Sequence, residues 1–129
     1  MNRRHTHWLL WAFIPTVLVA LLWLWMRSPV PEPDSNTAQA LERTAERLWR
    51  PGDPARIIPA TDWPEELRRL GPRSVRVSSE GVFIEFGSFF VEESGLFVLP
   101  LESDFRPQPG TDPSYRLLRG RVYRYDIKG

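Results

Sequence analysis

An α+β fold carried on one N-terminal transmembrane helix is the architecture this sequence predicts, and three observations lead to it. Residues 8–26 contain no charged side chain. Two segments beyond residue 35 place apolar residues at helical spacing. From residue 74 onward the apolar period changes to two, which is the signature of strands.

Residues 1–7 form a short polar flank that holds Arg3, Arg4, His5 and His7. The run WLLWAFIPTVLVALLWLWM then occupies residues 8–26. At ~1.5 Å per residue it spans about 28 Å, close to the ~30 Å hydrocarbon thickness of a bilayer. Trp8 and Trp11 mark one end and Trp23 and Trp25 the other, where indoles settle at the membrane interface. A soluble helix would need a polar face, and this run has none. A cleaved export signal has an apolar core of about 7–15 residues followed by small residues. Here the exit is bulky, with Trp23, Trp25, Met26 and Arg27. The basic flank predicts a cytoplasmic N-terminus and a C-terminal domain on the non-cytoplasmic side of the cell inner (plasma) membrane. The lipid bilayer is therefore an expected partner, through residues 8–26.

Residues 27–35 (RSPVPEPDS) read as a proline-rich linker, a semi-rigid stalk ahead of a soluble domain over 36–129. Asn36 and Gln39 predict a capping box, and Ala38, Leu41, Ala45 and Leu48 form an apolar stripe that ends at Arg50-Pro51-Gly52. A second, shorter helix is capped by Asp62 or Trp63. Pro64, Glu65 and Glu66 suit its first turn, Arg68 and Arg69 its last, and Gly71-Pro72 stops it. About five short antiparallel strands follow, over 74–78, 82–86, 89–92, 96–99 and 121–127, with a long proline-rich loop at 100–113. Two helices followed by hairpins give the α+β class.

WPEELRRLGPRSVRV, GVFIEFGSFFVEESGLFVLP and DPSYRLLRGRVYRYDIKG together resemble a small uncharacterised bacterial domain of unknown function. The resemblance covers residues 62–129 and is one of overall pattern. It implies an ordered domain and carries no activity with it. Basic residues are nearly all arginine, with Lys128 the only lysine, a usage associated with GC-rich bacterial genomes.

Several chemistries are excluded by composition. Two of the 17 basic side chains precede residue 26, which leaves 15 against 16 acidic ones beyond it. So even a balance does not make the clustered positive footprint that nucleic acid needs. Without cysteine there is no disulfide, thiolate site or lipidated cysteine. Both histidines lie before the apolar run, so the domain has neither a Ser-His-Asp triad nor a histidine-ligated metal. No phosphate-binding loop or dinucleotide fingerprint occurs, and no cofactor, metal ligand set or catalytic residue is assigned. Carboxylates at Glu85, Glu92, Glu93, Asp104 and Asp112 are the remaining catalytic currency. Adjacent Glu92 and Glu93 on a strand point to opposite faces and so cannot pair across one substrate. Arg116, Arg119, Arg121 and Arg124 form a basic run best read as a charged edge strand.

One pattern points to a partner. Val82, Ile84 and Phe86 share one sheet face with Leu96 and Val98, while Phe83, Phe97 and Leu99 lie on the other. With only two modest helices for cover, the face of Phe83, Phe97 and Leu99 is a candidate binding surface for an unidentified protein partner. The expected function is a membrane-tethered interaction or accessory module of the bacterial envelope, without catalysis of its own. Two alternatives stand beside it. One is a membrane-anchored carboxylate-dependent hydrolase acting on envelope polymer. The other is a small subunit of a membrane complex that uses the tryptophan-rich helix as its contact.

Overall fold

The computed structural model describes residues 15–24 and 29–129. Residues 15–24 are helical and exposed. Among the described residues no helix is long and apolar enough to cross a membrane. The ends of the expected 8–26 span, with Trp8, Trp11 and Trp25, lie outside the described residues, as does the flank 1–7.

The domain pairs helix α1 (Ser35–Leu48) and the short helix α2 (Glu65–Leu70) with a six-stranded antiparallel sheet. The strands are β1 (Arg56–Ile57), β2 (Ser74–Val77), β3 (Val82–Phe89), β4 (Glu92–Val98), β5 (Ser114–Arg119) and β6 (Val122–Ile127). Their spatial order is β1-β2-β3-β4-β6-β5, so the chain skips one place after β4 and returns to it from the edge. That skip obliges residues 99–113 to cross the sheet, and the crossing decides which face stays open.

Helix α1 begins at Ser35, directly after the linker's last acid. Asp34, not Asn36, is its cap, and the carboxylate accepts the Thr37 N–H at 2.7 Å. An ionised oxygen is the stronger acceptor for an orphan helix N–H, and this bond holds the Asp34 carboxyl below its ordinary value. Ala38, Leu41 and Ala45 bury the predicted stripe. Pro64, not Asp62 or Trp63, is the cap residue of α2, after a 3-10 turn over Ala60–Asp62, and Gly71 ends the helix with φ of 65°. Both helices pack on one sheet face against Val75, Val77, Val82, Ile84, Phe86, Leu96, Val98 and Val122. A fully buried aliphatic side chain contributes about 1.5–3 kcal/mol, so this layer is the main source of stability.

Three expectations need correction. The segments 82–86 and 89–92 are not two strands. They belong to the single strand β3 and its hairpin, because the Phe86-Gly87 step forms a bulge, with Gly87 opposite Ser94, instead of a turn. The segment 114–119 is a strand, and Gly120 (φ 55°) supplies the turn that pairs it with β6. With β1 added, the sheet has six strands and not five. Finally, residues 29–34 do not stand off as a stalk. Val30 packs against the core cluster and Pro33 is buried.

Arg121 clamps α1 to the sheet. It donates to Glu46 at 2.7 Å and to the Leu99 carbonyl at 2.8 Å, and lies 3.6 Å from Glu42. Burial raises the Glu46 carboxyl, but hydrogen bonds from the Leu101 N–H and Arg121 outweigh it and leave the group below its ordinary value.

Candidate functional site

The face opposite the helices is aromatic. Phe83, Phe97, Tyr115 and Tyr125 form a second buried cluster on β3, β4, β5 and β6. Phe97 is its centre, with ring centroids 4.8 Å from Phe83, 5.2 Å from Tyr115 and 5.6 Å from Phe105. Phe105 belongs to the crossing loop and also meets Tyr115 at 5.4 Å. The chain therefore covers its own second face.

This corrects the expectation of an open surface at two of its three residues. Phe83 is 4% exposed and Phe97 is 0% exposed. Phe83 lies under the Arg76 guanidinium, 4.6 Å from the ring centroid. Leu99 stays half-buried, and it borders an open groove of about 570 Å³ together with Phe105, Arg106, Pro107 and Tyr123. Leu117 on edge strand β5 pairs directly with Tyr123 and is 57% exposed, extending the apolar floor to the sheet edge. The accessible part of the face is thus shifted from Phe83 and Phe97 toward Leu99, Phe105, Tyr123 and Leu117.

Parity along β4 exposes why only Leu99 was legible as a groove residue. It shares the alternation of Phe97, whereas Phe105 sits in a loop without periodicity and Leu117 in a strand hidden among arginines. The Tyr123/Leu117 pairing needs a register that only the Gly120 turn sets.

A charged network closes the other end of the aromatic cluster. Arg76 donates to Glu93 at 2.6 Å, and the Tyr125 hydroxyl donates to the same oxygen at 2.5 Å. Glu85 accepts the Ser74 hydroxyl at 2.8 Å. Burial, then the Glu80 charge, pushes Tyr115 up to about 12. Burial, then the hydrogen bond to Glu93, raises Tyr125 further. A phenol raised on folding stabilises the fold fully below its ordinary value of 10, and that contribution is lost as pH rises through the folded value. In an absorbance titration, Tyr115 and Tyr125 are therefore expected to stay protonated near pH 10 and to ionise only on unfolding. Ionisation of Tyr115 and Tyr125 near 10 with the fold intact would show that the cluster is open.

At the far end of the sheet a second cavity, of about 630 Å³, lies on the helix side. Pro29, Phe89, Glu92, Ser94, Arg124 and Asp126 contribute to its wall. Glu92 and Asp126 come from neighbouring strands on one face, with Asp126 opposite Ser94. The backbone positions of diagonal neighbours of this kind stand roughly 7–8 Å apart. Arg124, however, holds both Asp126 oxygens at 3.1 and 3.2 Å. Both Asp126 oxygens are thus already engaged by a neighbouring side chain and not turned toward a substrate. Glu93 points to the aromatic face, away from Glu92, as strand parity requires. Asp112 accepts the Lys128 N–H from the chain terminus, and Asp104 borders the groove. Among the described residues no group of three or more side chains could hold a metal ion. Of the tryptophans expected at the membrane interface, Trp23 lies in the exposed helical stretch 15–24.

No family model matches the chain, and no curated protein or solved structure matches it either.

Proposed function

We propose that this chain is a single-pass protein of the bacterial inner membrane whose non-cytoplasmic domain is a non-catalytic interaction or accessory module of the cell envelope. The anchor rests on the charge-free residues 8–26 behind Arg3 and Arg4. The observation that carries the binding role is the open groove of Leu99, Phe105 and Tyr123, continuous with exposed Leu117 on the free edge of β5. An extended segment of a partner protein would set its apolar side chains into that groove. The outward backbone groups of β5 beyond Tyr115, whose N–H already donates to the Gln108 carbonyl at 3.0 Å, would offer it hydrogen bonds, as in strand addition to a sheet edge. Glu92 and Asp126 in one cavity keep the hydrolase as a second reading, which the Arg124 chelate opposes because it occupies both Asp126 oxygens.

Three measurements test this reading. A reporter active only outside the cytoplasm, fused after Gly129, is expected to be active, and activity of a cytoplasm-only reporter there would reverse the orientation. A photo-crosslinking residue at Leu117 in the full chain is expected to yield a discrete adduct in membranes. The same residue at Ile57, even more exposed on the opposite sheet edge, is expected to yield none. Equal labelling from both sites would discard the groove. Hydrolysis of envelope polymer, lost in Asp126→Asn, would replace the binding role by the enzymatic one.

A further inference from the structure

The geometry points to a second membrane contact: the tip of the β3–β4 hairpin, Phe89-Phe90-Val91, rests in the interfacial layer of the same bilayer that residues 8–26 cross. The inference builds on the anchor proposed above. Phe90 is 92% exposed, and its neighbours Phe89 and Val91 are exposed as well. Phe90 and Val91 are the two-residue loop between β3 and β4, and Phe90 has φ of 55°. Hairpins usually give that first loop position to glycine, asparagine or aspartate, because a bulky side chain there is strained. A large ring held in a strained conformation and packed only edge-on against Phe89, at 4.6 Å, does nothing for the core.

Its place in the fold identifies what it meets. Phe89 and Pro29 line the same cavity, so the tip lies at the end of the domain where the chain arrives from the apolar run. From Met26 to Pro29 is a reach of at most about 11 Å. Because Val30 and Pro33 are packed into the domain, no free stalk separates that end from the lipid surface. Aromatic rings are favoured at the level of the head groups. Arg73, whose guanidinium reaches the Ser88 carbonyl, and Lys128 stand at this end and suit anionic head groups. Glu92, next to the tip, keeps the insertion shallow. The contact would fix the domain's orientation and present the Leu99–Phe105 groove, at the other end of β4, away from the membrane.

The chain has no cysteine, so single labels are unambiguous. Full-length Val91→Cys and Leu101→Cys proteins, each carrying an environment-sensitive fluorophore, are reconstituted in phosphatidylethanolamine–phosphatidylglycerol vesicles. Leu101 is 72% exposed and follows the opposite end of β4, which makes it the matched control. The label at 91 is expected to shift to the blue and to lose most of its emission to lipids spin-labelled near the head group, while the label at 101 does neither. Adding Phe90→Ser to the Val91→Cys protein is expected to abolish the shift. Water-like emission at both sites, in protein that resists an alkaline carbonate wash, overturns the hairpin contact and leaves the anchor standing. Release of the protein by that wash overturns both.

Discussion

Phe97→Ala is expected to remove about 3–5 kcal/mol of stability, enough to abolish cooperative folding in a domain near the low end of the ~5–15 kcal/mol range. Phe97 is the one ring in contact with Phe83, Phe105, Tyr115 and Tyr123 alike, so it joins both halves of the second cluster. Its loss opens a cavity that the strands cannot close, because Phe83 and Tyr125 are already locked edge to face at 5.1 Å. It also frees the crossing loop, whose Phe105 has Phe97 and Tyr115 as its ring partners. The urea midpoint of the full chain, followed by the near-ultraviolet dichroism of the aromatic cluster, reads this directly. A milder Phe97→Leu protein keeps the measurement possible if the alanine form does not fold. A change below ~0.5 kcal/mol, as at exposed sites, would mean that this face is open and that the loop does not cover it.

The two faces of the sheet were legible from parity, and the helix side was legible almost residue by residue. Ala38, Leu41, Ala45 and Leu67 follow helical spacing, and Val75, Val77, Val82 and Ile84 follow strand spacing, so each periodicity reports its own buried side. What parity cannot report is cover. Phe83 and Phe97 look the same in sequence whether a loop or a partner lies over them. The covering element is held by Phe105 and by the Ser103 hydroxyl on the Glu80 carbonyl at 2.6 Å, two contacts within an aperiodic, proline-rich stretch. Strand β5 was legible only as the charge of an edge strand, not as a separate element. Its alternation reads Tyr-Arg-Leu-Leu-Arg, and only the edge position, with Arg116 facing solvent, explains so much charge in a strand. Gly87 misled because glycine punctuates turns more often than it makes bulges, and the extra residue shifts every later side chain of β3 to the opposite face. That shift places Phe89 on the helix side, beside Pro29, where both line the cavity at that end of the sheet.

Gly95→Ala is expected to be nearly as damaging as the loss of the aromatic ring, although it adds a single methyl group. Gly95 is central in β4, paired with Glu85 on one side and Tyr125 on the other. A Cβ at this position would stand 2.1 Å from the Ile84 carbonyl oxygen and 2.8 Å from Cε1 of Tyr125. The ring could turn aside only by giving up its hydrogen bond to Glu93. The carbonyl cannot move unless β3 and β4 part. Overpacking a core costs about 1–3 kcal/mol where side chains can adjust, and a clash with backbone belongs at or above the top of that range. Gly52 supplies the comparison. It has φ of 80°, but a Cβ added there would meet nothing within 4 Å, so Gly52→Ala carries only backbone strain. That strain is about 1–2 kcal/mol for a single left-handed residue. The measurement is the difference in urea midpoint between the two alanine proteins at equal slope. A Gly95→Ala protein as stable as Gly52→Ala, with the Tyr125 phenol still protonated near pH 10, would show that the strands tolerate a side chain where the structure leaves no room for one.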